Sequence, residues 1–169
     1  MVKITLPDNS VKEFENGVTP FDVARSISEG LARNVLSAKV NGKIVESVTP
    51  ITEDSALTLF TWNDDEGKSA FWHSSAHVLA QALEQLYPGV KLTIGPSIER
   101  GFYYDVDFGE QVISEKDIPK IEQRFLDLAR QKASFNKKEV SKADALAIYK
   151  AEGNEFKVEL IDNFPTIRL

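Results

Sequence analysis

A two-residue turn constrains the N-terminal fold of this chain more than any other feature. Leu36, Ala38 and Val40 alternate with other residues and lead directly into Asn41-Gly42. Both residues of such a pair adopt positive φ at low cost, and this is the backbone that a tight hairpin needs. The sequence therefore predicts two antiparallel strands around this turn, and the neighbouring segments must pack against a sheet.

Three further stretches show strand patterns. Residues 2–6 alternate apolar and polar side chains, residues 10–14 return after a turn as an edge strand, and residues 56–60 form a last short strand. Together with the central hairpin they enclose only one helical segment. This order of elements predicts a small α+β roll over residues 1–62.

The helix of this unit has a well-defined start. Thr19 is the expected N-cap, Pro20 the first helical residue, and Asp22 completes a capping box. Gly30 stands where the left-handed residue after a helix is usually found. We expect one helix from Pro20 to just before Gly30.

An acidic segment at residues 63–68 predicts a linker, so the second domain is expected over residues 69–169. Ser69 is the expected cap of its first helix. Strands are predicted at 90–94, 101–107, 134–140 and 166–169, and helices after Asp117 and Ser141. Residues 155–161 fit a strand and a helix equally well.

Composition excludes several classes of protein. No apolar run approaches the length of a membrane span and no signal peptide is recognisable, so we expect a cytoplasmic protein. The chain has no cysteine, which excludes disulfides and thiolate zinc sites. A net charge of −6 argues against strong independent binding of nucleic acid, because such binding depends on Lys and Arg.

Both histidines of the chain lie on the helix that follows the linker. His73 and His77 are four residues apart and therefore share one helical face. They flank an apolar stripe formed by Trp72, Ala76, Leu79, Leu83 and Leu86. We expect them beside the core, at a cleft between this helix and a neighbouring sheet.

The residue types alone leave the role of this pair open. A His-x-x-x-His helix can bind zinc, but Ser74 replaces the glutamate that metalloproteases carry after the first histidine. A catalytic zinc needs three protein ligands, so carboxylates would have to complete the set. Two structural histidines are the other interpretation.

The neighbouring motifs add a resemblance to a known family. His73-Ser74-Ser75-Ala76-His77, Ile94-Gly95-Pro96 and Gly101-Phe102-Tyr103-Tyr104-Asp105 together are similar to the N-terminal editing domain of bacterial threonyl-tRNA synthetases. Leu6-Pro7-Asp8 and Val40-Asn41-Gly42 resemble the preceding TGS domain, a ubiquitin-like β-grasp module. The resemblance covers residues 1–169 and implies an α+β chain, a β-grasp domain followed by a larger α+β editing domain.

The resemblance also implies an activity. In that family the whole enzyme attaches threonine to its tRNA using ATP, and the editing domain hydrolyses serine wrongly attached to this tRNA. By resemblance, His73 and His77 activate the attacking water and contact the terminal ribose, while Tyr104 hydrogen-bonds the seryl group or the adenosine. Lys157 would stabilise developing negative charge. A core aromatic and a surface lysine are the structural alternatives for Tyr104 and Lys157.

One departure from the family pattern sets further expectations. The editing pocket of the family is completed by a later Cys-x-x-x-His, and this sequence has no cysteine. We therefore expect a truncated, monomeric N-terminal fragment. We expect it to have little deacylation activity of its own and to bind the 3′ end of threonine tRNA weakly. ATP, magnesium, zinc and the homodimer contact would belong to other domains, so no cofactor is expected here.

Two other functions remain open from the sequence. The chain could be a free-standing hydrolase of mischarged tRNA that uses the same helix. It could also be a non-catalytic β-grasp binding module with a partner domain. Replacement of His73 separates the two, because only the hydrolase would lose activity.

Overall fold

The computed structural model describes residues 1–133, 135 and 140–163. These residues belong to two compact units, Met1–Trp72 and His73–Leu169. None of the helices in the described ranges is long and apolar enough to cross a membrane.

The first unit is built on a five-stranded sheet. Its strands are β1 (Val2–Thr5), β2 (Val11–Phe14), β3 (Ser37–Val40), β4 (Lys43–Glu46) and β5 (Ser55–Phe60). Their order in the sheet is β2-β1-β5-β3-β4. The central pair β1 and β5 is parallel and all other pairs are antiparallel. This mixed sheet has the strand order of a β-grasp fold, as the sequence predicted.

The turn between β3 and β4 is the predicted hairpin. Val40 pairs with Lys43, which leaves Asn41 and Gly42 as the only loop residues. Their φ angles are +47° and +83°. Positive φ at both positions defines the type I′ turn, whose twist matches that of the flanking strands.

The helix predicted at Thr19 is present, but it is shorter than expected. In α1 (Pro20–Ile27), the Asp22 amide donates to the Thr19 hydroxyl and the Asp22 carboxylate accepts from the Thr19 amide. The prediction that Gly30 follows the helix end is wrong. Gly30 lies inside a second short helix, α2 (Glu29–Asn34), because Ser28 accepts from the Leu31 amide and starts a new helix one residue after α1 ends.

The core of the first unit lies between this sheet and α1. Ile4 and Leu57 point inward from the central strands, and Val23 meets them from the helix. All three are almost completely inaccessible to solvent. Burial of these branched side chains supplies the main drive for this unit to fold.

The long helix α3 (Asp65–Leu86) starts four residues earlier than predicted. Asp64 accepts hydrogen bonds from the amide and hydroxyl of Thr61, and Lys68 bonds back to the Asp64 carbonyl. The acidic residues that suggested a linker at 63–68 are instead the first turn, where negative charge favours the helix dipole. The interpretation of Ser69 as the cap is therefore wrong.

The strands of the second unit are only two residues long. They are β6 (Lys91–Leu92), β7 (Ser97–Ile98), β8 (Gly101–Phe102) and β9 (Val106–Asp107). β6 pairs with β9 and β7 pairs with β8, each antiparallel. The predicted strand over 101–107 is thus two strands with different partners, and Tyr103, Tyr104 and Asp105 lie between them.

Three helices complete the described part of this unit. They are α4 (Ile118–Arg130), which follows a single 3-10 turn, α5 (Lys142–Ala151) and α6 (Glu155–Asn163). The predicted cap of α5 is confirmed, since the Asp144 amide donates to the Ser141 hydroxyl. The ambiguous segment 155–161 is helical. The strand predicted at 134–140 falls largely outside the described residues, and the one at 166–169 falls wholly outside them.

The core of the second unit forms where α3 ends. Leu83, Tyr87 and Leu92 are buried there and join the last turns of α3 to β6. Partly buried side chains of Tyr104, Val106 and Ile121 pack against them. This core fixes one side of α3 and leaves the side that carries the two histidines exposed.

Candidate functional site

The two histidines form a contacting pair on the exposed side of α3. The Nε2 atoms of His73 and His77 are 3.1 Å apart, and the ring planes are perpendicular. Ala76, between them in sequence, is buried. The predicted placement of the pair, beside the apolar stripe rather than in it, is therefore what the structure shows.

This contact has a chemical consequence. An imidazole nitrogen either carries a proton or accepts one, so at 3.1 Å one Nε2 donates to the other. The contact therefore requires at least one ring to present an unprotonated nitrogen. The lone pair of that Nε2 is occupied by the contact, so a proton from water is accepted at the Nδ1 atom of the donating ring, which is unprotonated when that ring is neutral. A ring in this form can act as a general base near neutral pH.

Desolvation and nearby charge both favour the neutral form of His77. Although the residue is exposed, partial desolvation of the ring is the largest effect that lowers its pKa, followed by the positive charges of His73 and Lys157. The ring of Phe135, with its centroid 6.0 Å from that of His77, covers part of it. A lowered pKa keeps His77 able to accept a proton at neutral pH.

Lys157 faces this pair from α6. Its side chain is half-buried, and desolvation lowers its pKa, while the carboxylates of Glu84 and Glu152 act in the opposite direction. The Nζ atom lies 4.9 Å from the centroid of the Tyr149 ring. A lysine held this way over an aromatic ring has restricted freedom and keeps a cation beside His77.

Tyr104 is held by an unusually close backbone. A β-carbon at Gly95 would overlap the ring of Tyr104, so only glycine fits between Ile94 and Pro96. Hydrogen bonds from the Asp105 amide to the Ile94 carbonyl, and from Thr93 to the Asp105 carbonyl, lock the two segments together. Desolvation, and then the charge of Glu84, raise the pKa of the Tyr104 phenol, which therefore remains a hydrogen-bond donor at neutral pH.

The two histidines, Lys157 and Tyr104 belong to one surface of the second unit, called the histidine surface below. Three further residues of this surface were not predicted. Tyr149 of α5 supports Lys157. The charges of Glu84 and Glu152 act on Lys157 and Tyr149, and the charge of Glu84 also acts on Tyr104. Glu84 follows His77 by seven residues, about two helical turns, so helical periodicity could have placed it on the histidine face. No local pattern connects Tyr149 or Glu152 with that helix.

The four predicted residues do not form one contact set. His73, His77 and Lys157 are joined by a ring contact and by charge. Tyr104 is connected to Lys157 through Tyr149 and Glu84. The elements that face the histidine helix also differ from the predicted sheet. The helices α5 and α6 supply Tyr149 and Lys157, whereas Tyr104 comes from the connection between two strands.

The described residues hold no group of three or more His, Cys, Asp or Glu side chains placed to bind a metal ion. The two histidines would supply only two ligands, one fewer than a catalytic zinc normally takes from the protein. Within the described ranges, this donor set is better suited to acid–base chemistry of the two imidazoles than to a catalytic zinc.

An open depression of about 560 Å³ lies between α5 and α6. It shares Tyr149 with the histidine surface, but its wall carries three carboxylates against the single cation of Lys150. The carboxylates are those of Glu155, Glu159 and Asp162. Such a wall repels phosphate groups. The depression is consequently a poor place for a nucleic-acid backbone.

Comparison with known proteins identifies close relatives of the chain. Residues 2–61 match the TGS domain model. Threonine–tRNA ligases are 61% identical to this chain in Flavobacterium psychrophilum, over 163 residues. The corresponding values are 57% over 162 residues in Cytophaga hutchinsonii and 52% over 162 residues in Porphyromonas gingivalis. Each comparison covers at least 95% of this chain.

The chain is homologous to threonine–tRNA ligases. It spans about a quarter of the length of these relatives, since each match covers 25% of the relative. The homology extends through the second unit, because a match over 163 residues includes far more than the TGS domain. The histidine surface is therefore a feature of a ligase-related chain and not of an isolated β-grasp module.

Proposed function

We propose that the second unit removes serine from mischarged threonine tRNA, within a protein whose other parts attach threonine to that tRNA. The observation that carries the proposal is the contacting histidine pair, with the cation of Lys157 beside His77. The homology to threonine–tRNA ligases supplies the tRNA context. The side chains involved are those of His73, His77, Tyr104 and Lys157.

A hydrolytic site is useful to such a protein for a physical reason. Serine differs from threonine by one methyl group, which is worth only about 1–3 kcal/mol in a binding pocket. A second site that admits serine and excludes the extra methyl group multiplies this discrimination. The reaction required of it is hydrolysis of the ester at the 3′-terminal adenosine.

Each side chain has a role in this proposal. The Nδ1 atom of the neutral, donating ring accepts a proton from the attacking water, and the hydrogen bond to the other ring holds the donating ring in this tautomer. The Lys157 ammonium stabilises negative charge on the carbonyl oxygen as the tetrahedral intermediate forms. The Tyr104 hydroxyl, protonated at neutral pH, donates to the seryl group or to the adenosine.

The remaining expectations belong to the parts of the relatives that this chain does not match. We propose that ATP, magnesium and zinc are bound there, that the homodimer forms there, and that the main tRNA-binding surfaces lie there. We also propose that the protein acts in the cytoplasm, where amino acids are attached to tRNA. The 169-residue chain alone should hydrolyse seryl-tRNA slowly or not at all, because the resemblance implies a Cys-x-x-x-His segment and the chain has no cysteine.

The test is a chimera in which this chain replaces the matching quarter of the Flavobacterium johnsoniae ligase, to which it is 61% identical. Hydrolysis of preformed seryl-tRNA and threonyl-tRNA is measured for the chimera and for its H73A, K157Q and Y104F variants. K150Q and Y103F are the matched controls, since Lys150 and Tyr103 are exposed neighbours of the same residue type.

We expect rapid hydrolysis of seryl-tRNA only, a large loss in H73A and K157Q, and little change in either control. Unchanged hydrolysis in H73A would support the non-catalytic binding module and overturn the proposal. Rapid hydrolysis by the 169-residue chain alone would favour the free-standing hydrolase.

A further inference from the structure

The side chain of Asn154 bonds directly to the backbone of Lys157. Asn154 lies in the short connection between α5 and α6 and is partly buried. Its Oδ1 atom accepts a hydrogen bond of 3.1 Å from the Lys157 amide, and its Nδ2 group donates one of 3.0 Å to the Leu92 carbonyl. Its own amide donates to the Tyr149 carbonyl.

These bonds join three elements at one residue, two through its side chain and one through its backbone amide. Leu92 belongs to β6 and is buried in the core of the second unit, so its carbonyl is a fixed point. Lys157 is the third residue of α6, and the bond to its amide is an N-cap interaction. Tyr149 is the aromatic ring that Lys157 covers.

We propose that Asn154 is a positioning residue that holds Lys157 toward the histidine pair by tying the start of α6 to β6. An N-cap alone would need only the side-chain oxygen, and serine or aspartate would provide it equally well. The donated bond to Leu92 is the additional feature, because it fixes where the capped helix begins. The inference deepens the proposed function, but its test does not depend on hydrolysis.

The electrostatics of the site provide a direct reporter. His77 is influenced by His73 and Lys157, and Lys157 by Glu84 and Glu152, while Tyr149 and Phe135 cover these groups. Lys157 is one cause of the lowered pKa of His77. If the start of α6 moves away, the ammonium moves with it, its contribution to the lowered pKa of His77 weakens, and we expect that pKa to rise toward its ordinary value of about 6.5.

The experiment is a pH titration of the histidine ring signals by NMR, on the 169-residue chain and its variants. N154S keeps a neutral N-cap oxygen but is too short to reach Leu92, so the pKa of His77 should rise. K157Q should raise it too, and N154S added to K157Q should cause no further rise. N163S is the matched control at the other end of α6 and should leave the titration unchanged.

Three results would overturn the proposal. The pKa of His77 could stay unchanged in folded N154S, which would reduce Asn154 to a simple cap. N154S could shift the titration equally with and without Lys157, which would mean that it acts by another route. In the unaltered chain, rapid solvent exchange of the Asn154 side-chain amide would show that the bond to Leu92 does not persist. This measurement needs no variant, so it tests the proposal even if N154S fails to fold.

Discussion

Gly95 makes a sharp prediction, because the ring of Tyr104 occupies the place that a β-carbon would take. In G95A the ring must move out of its half-buried position or the two segments must separate. Overpacking of this kind costs about 1–3 kcal/mol. With a urea dependence of about 2 kcal/mol per molar, the unfolding midpoint should fall by about 0.5–1.5 M.

When the ring of Tyr104 is removed, the same substitution should stabilise the protein instead of destabilising it. Gly95 is not among the glycines with positive φ, so its φ angle does not require glycine. In the Y104A background the methyl group meets no ring, and the loss of chain entropy in the unfolded state should stabilise the protein by about 0.4–1 kcal/mol. The coupling energy between the two positions is then about 1.5–4 kcal/mol, the sum of these two ranges.

The assay is urea unfolding of the four proteins of this cycle, followed through amide signals of β6 and β9 so that it reports on the second unit. G30A in the first unit, followed through amide signals of β1 and β5, is the control, since the nearest side-chain atom to its β-carbon would be 3.8 Å away and the residue lies in a helix. It should be neutral or stabilising. Equal destabilisation by G95A with and without the Tyr104 ring would refute the reasoning.

Two further predictions follow from single groups. Because folding lowers the pKa of His77, the unfolded chain binds more protons between that lowered pKa and about 6.5, so stability should fall as the pH drops through this window. Urea unfolding across this pH range should show a smaller dependence in H77Q, and an unchanged dependence would contradict the assignment. T19A removes a capping box and should cost the first unit about 1 kcal/mol, with T19S close to the unaltered chain. Unfolding followed by Trp62 fluorescence measures this loss, and equal stability of T19A and T19S would argue against the cap.

Local rules predicted those parts of the chain whose causes are themselves local. The Asn41-Gly42 turn, the Thr19 capping box and the Ser141 cap each involve residues within four positions of one another, and all three are confirmed. Alternation predicted the strand at residues 2–6 and the one before Asn41-Gly42, and turn residues predicted the returning strands, for the same reason. The spacing of His73 and His77 likewise predicted a shared face, because helical geometry alone brings them together.

The same rules failed where another segment or a competing cap decided the outcome. The acidic residues before Ser69 resemble a linker until Asp64 bonds to Thr61, which makes them the first turn of α3. The segment 155–161 fitted a strand and a helix equally well, and the cap that Asn154 provides decides for the helix. The prediction that the helix ends before Gly30 failed in a similar way, since Ser28 caps a second helix that contains Gly30.

Residue patterns were therefore sufficient for the β-grasp unit, the histidine helix and the resemblance to a synthetase editing domain. Which groups face that helix depends on tertiary packing. Lys157 acts on His77 from α6, 80 residues further along the chain, and Tyr149 of α5 contacts Lys157. Asn154 reaches Leu92 across a separation of 62 residues. Periodicity and capping act over a few residues, whereas these contacts depend on how the core around Leu83 packs, so only the folded chain could show them.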